Sequence, residues 1–351
     1  MRWWKYIVAV LAASVCMSFM EAKAETHDEN ADVDVAELVF GHIGDSYGWH
    51  ITTWEGEHIT IPLPCIVYGS TGWHVFMSSR LEHGERYEGF FISDDDKIME
   101  MLPDGSVVKP FDISITKNVA SLMISALLLI IIILGTARWY KKHDVMKEGS
   151  PKGFAGLVEM LVDMVTTDLI KPSIDEKYYR KYTPFLLTVF FFIFLSNLLG
   201  IVPFFPGGAN VTGNIAVTMV LALFTFFMVN LFADKHYWKE ILWPEAPIFL
   251  KFPLPIMQII EIFGMVSKPF SLMVRLFANI LAGHAMILGL VAVIFVTAKM
   301  GPVINGSMTG ITLVFGVFMD CLELLVAFIQ AYVFTMLSAV FIGMSRQGEH
   351  Q

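Results

Sequence analysis

The alternation of apolar and polar positions divides the chain into unlike parts. Asn118–Ala137 is an uncharged, Leu- and Ile-rich stretch of 20 residues, the length of one helix across a hydrocarbon core about 30 Å thick. Tyr182–Ala233 is a second uncharged stretch, 52 residues long, and at about 1.5 Å per residue it is too long for one crossing. Pro203, Pro206, Gly207 and Gly208 interrupt it, which predicts two spans, 183–203 and 212–233. Two longer apolar segments follow, 255–298 and 309–344. A helix begun at 253 would reach about 70 Å, so it must be tilted, bent or started along the surface. The polar stretch Lys299–Met308, with Gly301, Pro302 and Gly306, predicts a turn that folds these two helices into an antiparallel hairpin. With a first span at 118–138, the reading is an all-α polytopic membrane protein with five transmembrane helices. Residues 154–170 add an amphipathic helix at the interface. It carries Glu159 and Asp163 on one face and Phe154, Leu157, Val158, Leu161 and Val165 on the other.

The front of the chain follows other rules. Arg2 and Lys5 precede the uncharged run Ile7–Met20, and Ala22-Lys23-Ala24 has the small-x-small spacing of a signal-peptidase site. Residues 1–24 therefore read as a signal peptide, with an uncleaved anchor as the rival reading. Residues 25–36 are acidic. Beyond them come short runs rich in Ile, Val, Thr, Trp, Tyr and Phe: Trp49–Trp54, His58–Leu63, Cys65–Tyr68 and His74–Met77. Gly, Pro and Asp punctuate them, the pattern of strands. Residues 25–116 thus form a small β-rich exported (periplasmic) domain, and 117–351 the membrane channel domain. The exported part holds His27, His42, His50, His58, His74 and His83, whose spacings match no standard metal-ligand pattern. Its lone cysteine, Cys65, cannot close an intramolecular bridge.

Composition sharpens this division. The chain is 55% hydrophobic and 16% charged with a mean hydropathy of +0.61, against about 25% charged in soluble domains. The net charge of −9 averages an exported segment at −14 and a membrane part at +3. No basic patch marks a nucleic-acid partner. Arg138, Lys141, Lys142 and Lys147 follow the first span at once, which puts that end, and after five crossings the C-terminus, in the cytoplasm.

A charge inside a membrane helix costs several kcal/mol, so its default meaning is functional. Glu261, Lys268 and Arg275 recur every seven residues and share one stripe, which Asn279 extends. His284, nine residues past Arg275, turns to roughly the opposite face. On the last helix Glu323 and Gln330 share a face. Folded antiparallel, Arg275 falls level with Gln330 and His284 with Glu323. An imidazole beside a carboxylate makes a plausible proton relay, and a mutually satisfied structural pair is the competing reading. Asp320, near the end of its helix, needs only solvation.

The run Ser267-Lys268-Pro269-Phe270-Ser271-Leu272-Met273-Val274-Arg275-Leu276-Phe277-Ala278-Asn279-Ile280-Leu281-Ala282-Gly283-His284 resembles the signature of subunit a of F-type ATP synthases. Asn197-Leu-Leu-Gly-Ile-Val-Pro203, Thr218 through Leu223, and the helix carrying Glu323 and Gln330 are similar too, so the likeness covers about 117–346. The resemblance implies a stator channel of two half-channels. Arg275 would face a ring of c subunits, and Asn279, His284, Glu323 and Gln330 would line or support the outer path. Lys268, Ser271 and Asn214 are supporting candidates. The implied partners are the c-ring, the b-subunit peripheral stalk, the rest of the synthase, the inner-membrane bilayer, and protons or sodium ions. No cofactor is implied, and ATP chemistry would belong to other subunits. Three features depart from the family pattern, the first being the large exported domain, an extension that the core pattern does not contain. Some members carry Glu at the position of His284 and His at that of Glu323, and many have an acid where this chain has Asn214.

Two rival classes fit less well. A secondary transporter would show inverted repeats, and none is convincing. An intramembrane hydrolase would need H-E-x-x-H, or G-x-S-x-G on a strand-to-helix turn, and neither is in place. Ser271 and His284, 13 residues apart on one helix, cannot form a nucleophile–base pair.

Overall fold

The computed structural model describes residues 44–54, 57–81, 85–93, 96–143, 151–202, 205–244 and 256–346. The expected signal peptide and the acidic stretch 25–36 lie outside the described residues. The chain divides into two structural units. One takes Met1–Ile124, Leu199–Val211 and Leu281–Leu324; the other takes Ser125–Leu198, Thr212–Ile280 and Leu325–Gln351.

The first unit contains all eight described strands. Strands β1 (Gly48–Trp54) and β2 (Glu57–Pro62) pair as an antiparallel hairpin with Trp49 opposite Ile61. Strand β3 (Pro64–Gly69) lies between β4 (Gly72–Met77) and β8 (Phe111–Asp112). Strand β6 (Ile98–Met101) lies between β5 (Phe90–Ile92) and β7 (Val107–Val108). The expected β runs are therefore strands. In β3 the side chains alternate, Cys65 and Val67 inward and Tyr68 outward, because successive strand residues point to opposite faces. Cys65, Val67, Phe76, Leu81, Phe90 and Ile98 close a small core with Tyr47. Each large apolar side chain buried there contributes about 1.5–3 kcal/mol as an upper figure.

This β-rich segment is bonded to the helix that follows it. The first helix, α1, runs Lys117–Lys142. Asp45 Oδ1 accepts from the backbone N–H of Asn118 (3.0 Å), and Oδ2 accepts from the Thr116 hydroxyl (2.8 Å). A carboxylate thus satisfies an otherwise open N–H of the first helical turn and meets the positive end of its dipole.

The second unit is helical. Helix α2 (Phe154–Met164) runs on through a π-turn at Val165–Ile170 and a last turn at Lys171–Ser173. Helix α3 is Tyr179–Ile201, α4 Ile215–Leu231 and α5 Lys235–Leu242; α4 and α5 meet at 101°. The unit's core gathers Val158, Leu161, Val165 and Leu169 of the α2 segment, Leu186, Phe190 and Ile193 of α3, and Val229 of α4. The two longest helices, α6 (Ile256–Ala298) and α7 (Pro302–Met344), have 43 residues each. Within this unit they contribute Leu272, Leu276 and Ile280, and Ala331, Phe334 and Ile342, to the same core.

Among the described residues four helices, α1, α3, α6 and α7, are long and apolar enough to cross a membrane, and the bent pair α4–α5 makes up to five. The chain is thus an integral membrane protein, mostly helical, with a β-rich region near its N-terminus.

Several sequence expectations need correction. The turn expected over 299–308 shrinks, because α7 begins at Pro302 rather than 309. Proline suits the first helical position, where its missing N–H has no partner anyway, and Gly301 takes φ +100° just before it. The polar residues that suggested a turn are satisfied inside the helix. The Thr297 hydroxyl donates to Asn305 Oδ1 (3.3 Å) and Ser307 Oγ to Val303 O (2.9 Å). That earlier start puts Asp320 about five turns into the helix, where it is 4% exposed. It is not a solvated end residue. The second and third spans become 179–201 and 215–231. On α2, Val158, Leu161 and Val165 are buried as expected, but Phe154 and Leu157 are exposed. The packed stripe is therefore 158–161–165–169, narrower than the apolar face.

Candidate ion pathway

In the first unit, the C-terminal part of α6 and the N-terminal part of α7 form an antiparallel pair. His284 Nδ1 faces Glu323 Oε1 at 2.5 Å, with side-chain exposures of 17% and 6%. A glycine lies against each partner. A Cβ on Gly283 would stand 3.2 Å from Glu323 Oε1, and one on Gly200 would stand 3.6 Å from His284 Nε2. At 283 the carboxylate would have to give by a few tenths of an ångström to admit a side chain, whereas 3.6 Å at 200 is an ordinary contact. A buried carboxylate and imidazole in contact can hold one proton between them and pass it on, because burial penalises either group charged alone. Asp320 sits three residues before Glu323 and so on the same helical flank, buried as well.

In the second unit the remaining candidates take unlike positions. Helix α6 buries Leu272, Leu276 and Ile280. Its other face exposes Phe263, Val266, Phe270 and Val274, and Arg275 and Asn279 stand exposed there. Among the described residues Arg275 makes no hydrogen bond or ion pair. Gln330 of α7 is buried, 7% exposed, so the structure gives it and Arg275 opposite environments. Lys268 lies over the Phe341 ring at 5.6 Å, a cation–π contact that keeps the ammonium at the helix surface. Ser271 is exposed. Asn214 caps α4, its side-chain oxygen accepting from Ala216 N–H (2.9 Å); that bond explains the residue without a proton-accepting role.

Sequence reasoning missed two polar clusters in this unit. Asn197 Nδ2 donates to Ala327 O (3.2 Å), and the Thr212 hydroxyl donates to Asn197 Oδ1 (2.5 Å). One buried amide thereby ties α3 to the loop before α4 and to α7, three residues from Gln330. An asparagine in a charge-free helix was the available signal, since a buried amide demands partners. In the second cluster Arg346 donates to Asp234 Oδ1 (2.7 Å) and to the Tyr182 hydroxyl (3.1 and 3.2 Å), and it lies over the Tyr178 ring. No sequence spacing links positions 178, 182, 234 and 346.

Gly44–Gly48 does read G-x-S-x-G, but Ser46 leads into β1 and its hydroxyl donates to Gly48 O (2.7 Å). It is no nucleophile elbow. His74 is held between Thr71 and Glu88, and the pairing keeps the Glu88 carboxyl below its usual range. Among the described residues no three metal-ligating side chains converge.

Apolar helices of membrane length, with a carboxylate–imidazole pair between two of them, define an integral membrane protein with buried ionisable groups. Comparison with known proteins gives the particular family. Residues 119–343 match the family model described as ATP synthase A chain. The chain is 42% identical over 242 residues to ATP synthase subunit a of Chloroherpeton thalassium, covering 67% of each chain. It is 40% identical over 258 residues to ATP synthase subunit a 2 of Chlorobaculum tepidum, covering 72% of this chain and 70% of that one. With ATP synthase subunit a of Myxococcus xanthus it shares 37% over 306 residues, 83% and 90% of the two chains. The chain belongs to the ATP synthase A chain family. It is a proton-translocating stator subunit of the Fo sector, working with the rest of the synthase and not itself catalytic. Residues 38–118 match a second family, described as a domain of unknown function (DUF8433).

Proposed function

We propose that Arg275 faces the c-ring and that His284 and Glu323 carry protons in the outer half-channel, with Asn279 and Gln330 supporting the path. The observation that carries this reading is Arg275 itself, exposed on an apolar helix face that no other described element covers with a counter-charge. In a bilayer such a charge is costly unless a partner meets it, and a ring carboxylate is a partner of the right sign. A fixed guanidinium favours the deprotonated carboxylate, so a loaded ring site releases its proton on arrival. The same charge stops protons passing directly between the half-channels.

In this reading the chain crosses the inner membrane five times, with residues 25–116 in the periplasm after signal cleavage and the C-terminus in the cytoplasm. The peripheral stalk b subunits hold it against the rotating ring. Whether protons or sodium ions drive rotation is decided by the ring carboxylate, not by this chain.

Arg275→Ala in inverted membrane vesicles tests the assignment. ATP-driven proton pumping should vanish while the subunit still co-purifies with the synthase. Coupled pumping at the wild-type rate in the assembled variant would defeat it.

A further inference from the structure

Among its residues of described burial, the β-rich segment has one aromatic residue buried outside its own core. Trp49 of β1 is 3% exposed yet is absent from the cluster around Cys65 and Phe90. Its ring meets Phe205 edge-on, with centroids 5.2 Å apart and planes at 71°, a favoured aromatic geometry. Phe205 belongs to the loop between α3 and α4, in the same structural unit. That loop folds back on the end of α3: Gly208 N–H donates to Leu199 O (3.2 Å), and Ala209 is 1% exposed. At Gly200, the position of a Cβ would be 3.5 Å from Ala209 O and 3.6 Å from His284 Nε2. Trp49 thus meets the loop at Phe205, the loop bonds back to the end of α3, and Gly200 at that end lies beside the imidazole whose other nitrogen faces Glu323. The Trp49 end is anchored as well, since Asp45, four residues before Trp49, is bonded into the first turn of α1.

We propose that the β-rich segment is a clamp on the outer proton path: through Phe205, Trp49 seats the loop that follows α3, that loop braces the end of α3, and Gly200 there backs His284 beside Glu323. Trp49 and Phe205 are positioning residues that never touch the proton. The proposal rests on the reading of His284 and Glu323 as the outer path. Proton transfer needs donor and acceptor within about 2.6–3.2 Å, and a relay displaced by about 1 Å loses much of its rate. With the loop freed from Trp49, the end of α3 that backs the imidazole would lose its brace, so flow should slow without loss of assembly.

The test uses vesicles containing the complete synthase, measuring ATP-driven pumping and passive proton flow through Fo, normalised to co-purified subunit. Trp49→Ala and Phe205→Ala should each slow flow at least threefold, and the double variant should be no slower than the worse single. Trp49→Phe, which keeps an aromatic edge, should recover at least half of the lost rate. Should Trp49→Ala fail to assemble, Phe205→Ala and Trp49→Phe carry the comparison, since Phe205 is 46% exposed and outside both cores. Wild-type flow in the assembled variants, multiplying effects in the double, or a Trp49→Phe as slow as the alanine variant would overturn the clamp. Glu323→Gln separates the two readings. If it blocks flow while Trp49→Ala does not, only the clamp falls; if it leaves flow intact, the outer path itself is wrong.

Discussion

His284 Nδ1 and Glu323 Oε1 stand 2.5 Å apart across two antiparallel helices, 39 residues apart in sequence and backed by two glycines. The couple is sealed on the carboxylate side and slightly open on the imidazole side.

Exchange of the two residues should therefore be better tolerated than loss of either. Glu323→Gln should slow passive proton flow at least tenfold, and His284→Glu alone should do the same by opposing two carboxylates. The double exchange, His284→Glu with Glu323→His, should recover a third or more of the wild-type rate in vesicles, because the imidazole–carboxylate couple survives. A double variant as slow as the singles would mean that orientation matters as much as chemistry.

Asn197→Leu keeps side-chain size but leaves the Thr212 hydroxyl and Ala327 carbonyl without the amide they share. Unpaired buried groups of this kind cost about 1–3 kcal/mol. The temperature at which the subunit dissociates from the detergent-solubilised synthase should fall.

Arg346→Met should weaken the same complex by removing the Asp234 and Tyr182 bonds together. An aspartate with 19% side-chain exposure is left without its cation, which costs more than the bond itself contributes. Proton pumping at 25 °C should survive and fail early on heating. Asp234→Asn on that background should restore part of the loss.

Cys65 reports on the β-rich segment. Burial pushes its thiol up to about 11, so at pH 8 only about one molecule in a thousand carries the reactive thiolate. Iodoacetamide should leave Cys65 unlabelled in the native synthase and modify it after unfolding, as read by peptide mapping. The raised value makes its contribution to stability full below about pH 9, falling as pH rises toward 11. Labelling should therefore accelerate across that window.

Much of the fold was legible because a bilayer restricts the choices. Uncharged stretches of the right length at Asn118, Tyr182 and beyond could only be helices, and the alternating Trp49–Met77 runs could only be strands. The seven-residue spacing of Glu261, Lys268 and Arg275 displayed the charged stripe before any coordinates. What failed was the end of the hairpin. Local polarity suggested a ten-residue turn, whereas Thr297, Asn305 and Ser307 satisfy one another and the backbone inside the helices. Asp320 was misplaced for the same reason.

Periodicity and charge by themselves determined which residues lie on which helix face, and that one arginine sits where charge is expensive. Only the tertiary structure decided which faces meet. Gly200, Gly283, Asn197 and Arg346 carry no pattern that repeats along the chain. Their importance arises from contacts between segments far apart in sequence, where a missing Cβ or one buried amide decides how closely two helices pack. The contact of Trp49 with Phe205 is of that kind, joining residues 156 positions apart. Side-chain periodicity encodes direction from an axis, and the identity of the neighbour waiting there is a property of the folded chain alone.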